Sequence, residues 1–297
     1  MSSKISILIY SYNRAEEFRS NLELVLAQKY PSELFEVVAM DDASTDGTWE
    51  MLSGLASGGK HKNLRILRNT VNLDIAGCRQ ELFRNISPES ELVLLMDDDV
   101  ALPEKFLADI AGFMENDPDA GAMGPRVVYA KDPAKTAHFP NFVNSVTGFY
   151  TSREVSAATD CDWLIACCVC FRRQALEKAG GFDVSFVSSH QEVDLCLKIK
   201  AAGCRIVYNP GLVVTHDIAE KKRKPGRLYY LYRNKFLVIR KNFNFPWNVT
   251  ATLAALFLGF PKYVLDSLAC NRGVNIVELR LIVRAVADGL RGRDGRM

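Results

Sequence analysis

The sequence predicts an α/β protein: a mainly parallel sheet with helices on both faces, followed by a basic helical extension. Three observations predict it. Short apolar runs alternate with longer stretches of helical periodicity through the first half of the chain. Those runs end in polar, acid-rich loops and not in two-residue hairpin turns, which is the pattern of strand–helix–strand units. Charge is also split. Residues 221–297 carry 16 Lys/Arg against 4 Asp/Glu and residues 1–220 carry 21 against 31, although the 297-residue chain as a whole is only +2.

The elements follow in order. "ISILIY" (5–10) reads as a buried strand, and 14–28 as a helix with Leu22, Val25 and Leu26 inward. "EVVAM" (36–40) is the second strand. In the loop "DDASTDGT" Asp46 or Thr48 caps a helix that runs through residue 56. "LRIL" (64–67) and a helix over 75–86 come next. "LVLLM" (92–96) is the fourth strand, and Pro103 at a first helical position opens a helix to residue 116. This β-α-β order implies parallel strands joined by crossover helices. The second half is less regular. "DWLIACCVCF" (162–171) reads as a strand, 172–179 as a short helix, "GGFD" (180–183) as a turn and 192–202 as a helix. "RIVY" (205–208) and "LVVTH" (212–216) are two more short strands. Beyond the basic run "KKRK" (221–224), residues 249–260 and 276–290 have helical character.

Hydrophobic residues are 48% and charged residues 24%, the balance of a soluble globular protein with a sizeable core. No cleavable leader is visible ahead of "ISILIYSYN", and the eight cysteines lack the spacing of a disulfide framework, so a cytoplasmic protein with reduced, buried thiols is expected. Cys161, Cys167, Cys168 and Cys170 crowd one apolar run, with no second Cys/His pair to complete a zinc site.

In parallel α/β sheets ligands bind beyond the carboxyl ends of the strands, and "SYN", "DDASTDG" and "DDD" all fall there. That edge is a nucleotide-sized site. Asp97, Asp98 and Asp99 end the fourth strand. Three adjacent carboxylates suit a hard divalent ion, Mg²⁺ or Mn²⁺, with a substrate diphosphate completing its shell. Taken alone they also fit a solvated acidic turn. Asp41 and Asp42 share the edge, and a carboxylate there accepts a base N–H or a ribose hydroxyl without any metal.

The motifs "SILIYSYNR", "VVAMDDASTDGT", "CRQELFRN", "LVLLMDDDVALP", "GGFD" and "QEVDLCLKIKAAGCRIVYNP", in that order over residues 4–216, resemble the family 2 inverting glycosyltransferases of the GT-A fold. Within that family the chain resembles bacterial rhamnosyltransferase-like glycosyltransferases of polysaccharide synthesis. The resemblance implies a catalytic domain over 1–220, with a nucleotide-binding half (1–100) and an acceptor half (101–220), and leaves 221–297 as the basic helical C-terminal extension. It implies donor contacts from Tyr10, Tyr12, Asn13, Asp41 and Asp42, with Asp42 toward the base, and from Arg79, Asp97 and Asp98. Gln80 stands where the family commonly has Asn. The family's DXD motif falls on the triplet: Asp99 is the implied direct metal ligand, with Asp97 nearer the ribose or sugar and also at the ion. His216 is implied to join the metal shell, where an imidazole favours Mn²⁺ over Mg²⁺. The family usually reads Glu-Asp where this chain has Gln191 and Glu192, so Glu192 inherits the role of base, with Asp194 the alternative. Asp194 is otherwise a helix-start acid favoured by the dipole. Trp163, Asp183 and His190 are implied to face the acceptor.

The implied activity is metal-dependent, inverting transfer of a sugar from a UDP-, dTDP- or GDP-linked donor to a glycan or lipid-linked acceptor, in the synthesis of a surface polysaccharide. Two other readings compete. A nucleotidyltransferase would want a Gly-rich phosphate loop after the first strand, and "SYNRAEE" has none. An inactive relative that only binds nucleotide or glycan is given room by the Gln191-Glu192 departure. "KKRKPGRLYYLYRNKF" mixes cations with tyrosines, but no nucleic-acid module accompanies it, and none is expected as a partner. Residues 249–260 fall far short of the roughly 20 needed to span a bilayer. Residues 276–290 carry one polar stripe of Arg280, Arg284 and Asp288. Such helices with surplus Lys/Arg suit peripheral attachment to anionic lipid on the inner face of the cell membrane, or a solvated oligomerisation tail.

Overall fold

Strands β1 (Ile5–Ser11), β2 (Phe35–Asp41), β3 (Leu64–Arg68) and β4 (Leu92–Met96) form the parallel half of one sheet, in the order β4-β1-β2-β3. In this computed structural model, which describes residues 3–218, 225–262, 265 and 276–297, alternate residues of these strands enter two apolar layers. Ile5, Ile7 and Ile9 pack with Val37, Ala39, Leu92 and Leu94 on one face; Leu8 packs with Val38, Met40, Val93 and Leu95 on the other. A strand buried on both faces has no solvent side to mark with polar residues, so it reads as an unbroken apolar run. Helices α1 (Ala15–Leu26) and α2 (Thr48–Ser57) cover the first face through Phe18, Leu22, Val25, Met51 and Leu52, and α3 (Asp74–Arg84) covers the second through Cys78 and Leu82. Gly47, at φ 90°, stands at the cap of α2 in place of the expected Asp46 or Thr48; Asp46, one residue further back, accepts the Thr48 backbone N–H on Oδ1 at 3.1 Å.

After β4 come the two-residue strand β5 (Val100–Ala101) and helix α4 (Phe106–Asn116). Pro103 lies ahead of that helix and not inside it, in a turn where its carbonyl accepts from Gln28 Nε2 at 2.8 Å and from the Phe106 N–H at 3.0 Å.

The second half departs from the sequence reading at three places. Strand β6 (Ala120–Tyr129) was hidden by Gly121, Gly124 and Pro125, residues that usually break strands. Gly121 has a packing reason, since a Cβ there would lie 2.6 Å from Cys204 Cβ. β7 (Asp132–His138) pairs with β6, β8 (Asn141–Val143) and β9 (Tyr150–Ser152) make a separate hairpin, and β10 (Thr159–Cys161) ends the main sheet. The run 162–167 is not strand. β11 spans only Cys168–Arg172, antiparallel between β4 and β6. Backbone groups of the run instead serve neighbouring loops: Cys167 O accepts from the Asp97 N–H at 2.8 Å, and Trp163 pairs with Asn141. Helices α5 (Arg173–Lys178) and α6 (Gln191–Ala201) follow. The two strands expected at 205–216 are one, β12 (Arg205–His216), parallel to β6 and irregular between Asn209 and Val213.

The chain continues as α7 (Pro225–Asn242), α8 (Trp247–Ala254) with a π-helical turn Ala255–Gly259, and α9 (Ile276–Leu290). The run "KKRK" lies outside the described residues. Leu237 and Val238 of α7 sit in the same buried layer as Leu8, Val93 and Leu95, so α7 shares the core of the sheet. Helix α9 packs Ile282 and Ala285 onto Leu228, Tyr229 and Tyr232 of α7. The seven described cysteines are free thiols, all buried except the half-buried Cys204.

Candidate active site

Strand register brings the acidic loops together. Ser11 pairs with Asp41, so the loops after β1 and β2 leave the sheet side by side, and pairing of His216 with Val100 carries the end of β12 to the aspartate triplet. The first two loops are tied into one shelf. Asn13, at φ 54°, donates its backbone N–H to Ser44 Oγ at 2.9 Å and accepts the Thr45 N–H on Oδ1 at 2.8 Å. Asparagine tolerates this left-handed conformation better than most side chains. Asp41 is fully buried, with Oδ1 accepting the Ser44 N–H at 2.9 Å and Oδ2 3.3 Å from Arg68 Nε. Asp42 is buried too, and its Oδ1 accepts from Asn69 Nδ2 and from the Leu73 N–H, both at 2.8 Å. Tyr10 is half-buried and its phenol is pushed well above the ordinary range by burial, whereas Tyr12 is 48% exposed.

Each aspartate of the triplet has its own partner. Asp97 Oδ1 accepts from Arg79 Nη2 at 3.1 Å, and the same nitrogen donates to Ala166 O at 2.7 Å. Arg79 is buried on α3. Asp98 turns inward to Ser11 Oγ at 2.5 Å and Arg14 Nη1 at 2.6 Å; burial pushes its carboxyl up to about 6 against the pull of those donors. Asp99 accepts from Arg14 Nη1 at 3.0 Å and lies 2.9 Å from His216 Nε2. Burial opposes ionisation of Asp99, yet His216 and Arg14 hold its carboxyl below the usual range.

Ligand-capable atoms of Asp97, Asp99 and His216 lie within 4.8 Å of one another. His216 Nδ1 is buried with no hydrogen-bond partner among the described residues. Two carboxylates and one imidazole fit a small divalent ion of the Mn²⁺ type. His138, Cys167 and His216 form a second group within the same span, softer in its donors.

Helix α6 starts after His190, a non-glycine residue at φ 66°. Glu192, in its first turn, has Oε2 buried with no hydrogen-bond partner among the described residues. Burial raises its carboxyl above the ordinary range; Arg79 draws it back and Asp97 pushes it further up. A carboxylate with a raised proton affinity and a free oxygen is a general-base environment. Asp194 differs. It is fully buried, with Oδ1 accepting from Asn242 Nδ2 at 2.8 Å and Oδ2 2.6 Å from Lys198 Nζ. Residues two apart on a helix point roughly 200° apart, so these contacts turn Asp194 away from the face that carries Glu192.

Asp183 is likewise committed, to Lys241 Nζ at 2.7 Å, Lys198 Nζ at 3.3 Å and Ser185 Oγ at 2.6 Å; despite burial these hold its carboxyl far below the usual range. Trp163 and His190 gather on Tyr150, with ring centroids 5.3 Å and 5.9 Å away. Burial, reinforced by Lys235, pushes the His190 imidazole down to about 3.

Helix α7 supplies residues that sequence reasoning missed. Lys235 Nζ stands 3.3 Å from the Tyr150 ring centroid and donates to Gly148 O; burial pushes its ammonium down to about 7. Asn234 Nδ2 donates to Val187 O at 3.1 Å and Ser189 O at 2.7 Å, and Arg233 Nη2 to Ser185 O at 3.0 Å. These bonds fasten the loop that leads into α6. The signal in the sequence was "RNK", three successive polar residues inside an aromatic, aliphatic helix, which cannot all face water. Arg14, shared by Asp98 and Asp99, stood unassigned in "SYNR".

Residues 6–180 match the glycosyl transferase family 2 profile. A glucosyl-dolichyl phosphate glucuronosyltransferase of Haloferax volcanii is 25% identical over 228 residues, covering 73% of this chain and 70% of that one. Other relatives are longer proteins, of which this chain spans 24% or 18%. Among solved structures, S. aureus TarS 1–349 in complex with UDP-GlcNAc superposes with a TM-score of 0.68 at 18% identity, over 97% of this chain and 81% of TarS. The mannosyltransferase PcManGT from Pyrobaculum calidifontis, in complex with GDP-Man and Mn²⁺, gives 0.62 at 17% identity, over 99% and 88%. The profile covers more than half of the chain, and the solved structures of the same fold superpose on nearly all of it: the chain belongs to glycosyl transferase family 2 and is a glycosyltransferase of the α/β GT-A fold.

Proposed function

We propose that the enzyme transfers a sugar, with inversion, from a nucleotide-diphospho-sugar to a glycan or lipid-linked acceptor in surface-polysaccharide synthesis, using a divalent ion held by Asp97, Asp99 and His216. The carrying observation is that ligand atoms of these three residues converge within 4.8 Å at the sheet edge that also bears Asp41 and Asp42, with Glu192 of α6 near enough to feel Arg79 and Asp97. When bound, such an ion supplies positive charge to the departing diphosphate. The protein's own residues do the rest. Asn13, Asp41 and Asp42 shape the shelf for base and ribose, Arg79 orients Asp97, and Trp163, Tyr150 and His190 form the acceptor side. Glu192 takes the proton of the acceptor hydroxyl as that oxygen attacks the anomeric carbon and the bond to the diphosphate breaks on the opposite face. A nucleotide-sugar donor is supported by the UDP-GlcNAc and GDP-Man carried by the structural neighbours, and a lipid-linked acceptor by the dolichyl phosphate in the relative's name. Among the described residues no helix is long and apolar enough to cross a membrane, so we place any membrane contact at the surface, through the C-terminal helices.

The test is nucleoside diphosphate release from UDP-, dTDP- and GDP-sugars, with Mn²⁺ and after its chelation. Glu192→Gln is expected to lower turnover by about 10²–10⁴ while nucleotide binding persists. Unchanged turnover would remove Glu192 as the base. Nucleotide binding without release from any donor would favour the inactive reading.

A further inference from the structure

Helix α8 is built inside out. Ala251, Ala255 and Gly259, four residues apart, are buried, while Val249, Leu253 and Phe257 on the same spacing are 47%, 47% and 72% exposed. Leu258 is 61% exposed, and Phe245 and Trp247 at the helix entrance are 82% and 44% exposed. A helix on a water-soluble domain does the reverse, burying its large apolar residues. The small face has a local reason: Ala251 Cβ packs against Gly148, and Thr250 Oγ1 donates to Val146 O at 2.7 Å, so α8 lies against the β8–β9 turn whose strand bears Tyr150. The large face has no such partner among the described residues, and contiguous apolar surface of this kind marks an interaction site.

Charge identifies the partner. From Lys221 to Leu265 the sequence holds ten Lys/Arg and no Asp or Glu; Arg233 and Lys235 of these are buried, whereas Arg227, Arg240 and Lys262 are exposed, the last two flanking the helix in sequence. A second copy meeting face to face would bring two such positive surfaces together. A bilayer with anionic headgroups offers apolar depth under a negative rim, which is complementary on both counts. We propose that this face docks on an anionic membrane, with Val249, Leu253, Phe257 and Leu258 entering the headgroup–acyl boundary and α8 lying in the membrane plane. The proposal rests on the lipid-linked-acceptor reading for its purpose, holding the Tyr150 side of the cleft toward the membrane, and on the helix alone for its geometry.

The experiment is co-sedimentation of the full chain with vesicles of phosphatidylcholine, and of phosphatidylcholine mixed with phosphatidylglycerol, at low and high salt. Binding to the mixed vesicles that partly survives high salt, and falls at least about tenfold in Phe257→Asp/Leu258→Asp, is the expected result. Leu253→Ser, a milder change on the same face, is expected to act in the same direction should the double variant not fold. Three outcomes overturn the proposal: no sedimentation with either vesicle, binding abolished by salt and indifferent to Phe257, or a dimer in light scattering that Phe257→Asp splits. Turnover on a water-soluble acceptor, without vesicles, reads the glycosyl-transfer proposal separately. Vesicle binding without turnover would sink that proposal and leave this one, and turnover without vesicle binding would do the opposite.

Discussion

Lys235 reaches the Tyr150 ring from α7 with only 5% of its surface exposed. A desolvated cation over a ring gains on the order of 2 kcal/mol, less than the several kcal/mol that removing an ammonium from water costs. Burial therefore wins, and the folded-state value falls to about 7 from 10.5. Between those values the unfolded chain holds a proton that the native chain lacks, so this group makes stability rise with pH, and its contribution is lost as pH falls through about 7. Lys235→Met is expected to flatten that rise, which denaturant unfolding at the two ends of the window will measure; an unchanged slope would mean that Lys235 is hydrated. The same variant should let the His190 imidazole protonate at higher pH, since Lys235 helps to hold it down. None of this was legible in the sequence, where a lysine in a basic stretch is indistinguishable from its solvated neighbours. The acids show the same limit. Asp41, Asp183 and Asp194 are each held in an ion pair, while Glu192 has neither an ion pair nor a hydrogen bond to its buried Oε2 among the described residues, and spacing alone could not separate the two kinds.

The loop 183–190 is the element on which Glu192 depends. Ser188 and His190 both sit at φ 66°, a conformation that costs a non-glycine residue on the order of 1 kcal/mol and persists only where surroundings impose it. Asn234 imposes it, by holding the carbonyls of Val187 and Ser189. Gln80, standing where the family commonly has Asn, helps from the other end: its Oε1 accepts the Phe182 N–H at 2.7 Å, beneath Gly181 at φ 73°. Asn234→Ala strips one donor from two carbonyls and is expected to cost about 1–3 kcal/mol of stability. Turnover should fall by about tenfold or more with nucleotide affinity nearly unchanged, because the β1–β2 shelf is not touched. A lower melting temperature with normal turnover would reduce Asn234 to a structural role. Helices α1 to α3 and the four parallel strands were readable because their apolar periods are local. The run 162–167 was not, because an apolar segment lining a cleft has the same composition as one pairing in a sheet.

Over the whole molecule, the charge changes sign near residue 220 while the packing runs on past it. Surface charge reports what faces water; the buried layer under β1 and β4 also contains Leu237 and Val238 of α7, and two polar residues of that helix, Arg233 and Asn234, fasten the loop before Glu192. The acidic edge and its order along the chain were visible in sequence because parallel sheets put all such loops on one side. The need for α7 was not, because it depends on side chains far apart in sequence. A chain ending at residue 218 should therefore fail as an isolated catalytic unit. Burying a Leu or Val contributes about 1.5–3 kcal/mol each, and the lost bonds of Arg233 and Asn234 add about 1 kcal/mol apiece. Together these come to about 5–8 kcal/mol, comparable with the low end of the roughly 5–15 kcal/mol that holds a typical domain folded. The expected truncation product retains far-ultraviolet dichroism, binds a hydrophobic dye, melts without cooperativity and loses donor-nucleotide binding. A truncated chain that melts cooperatively and binds nucleotide as the full chain does would show that α7 adorns this core without completing it.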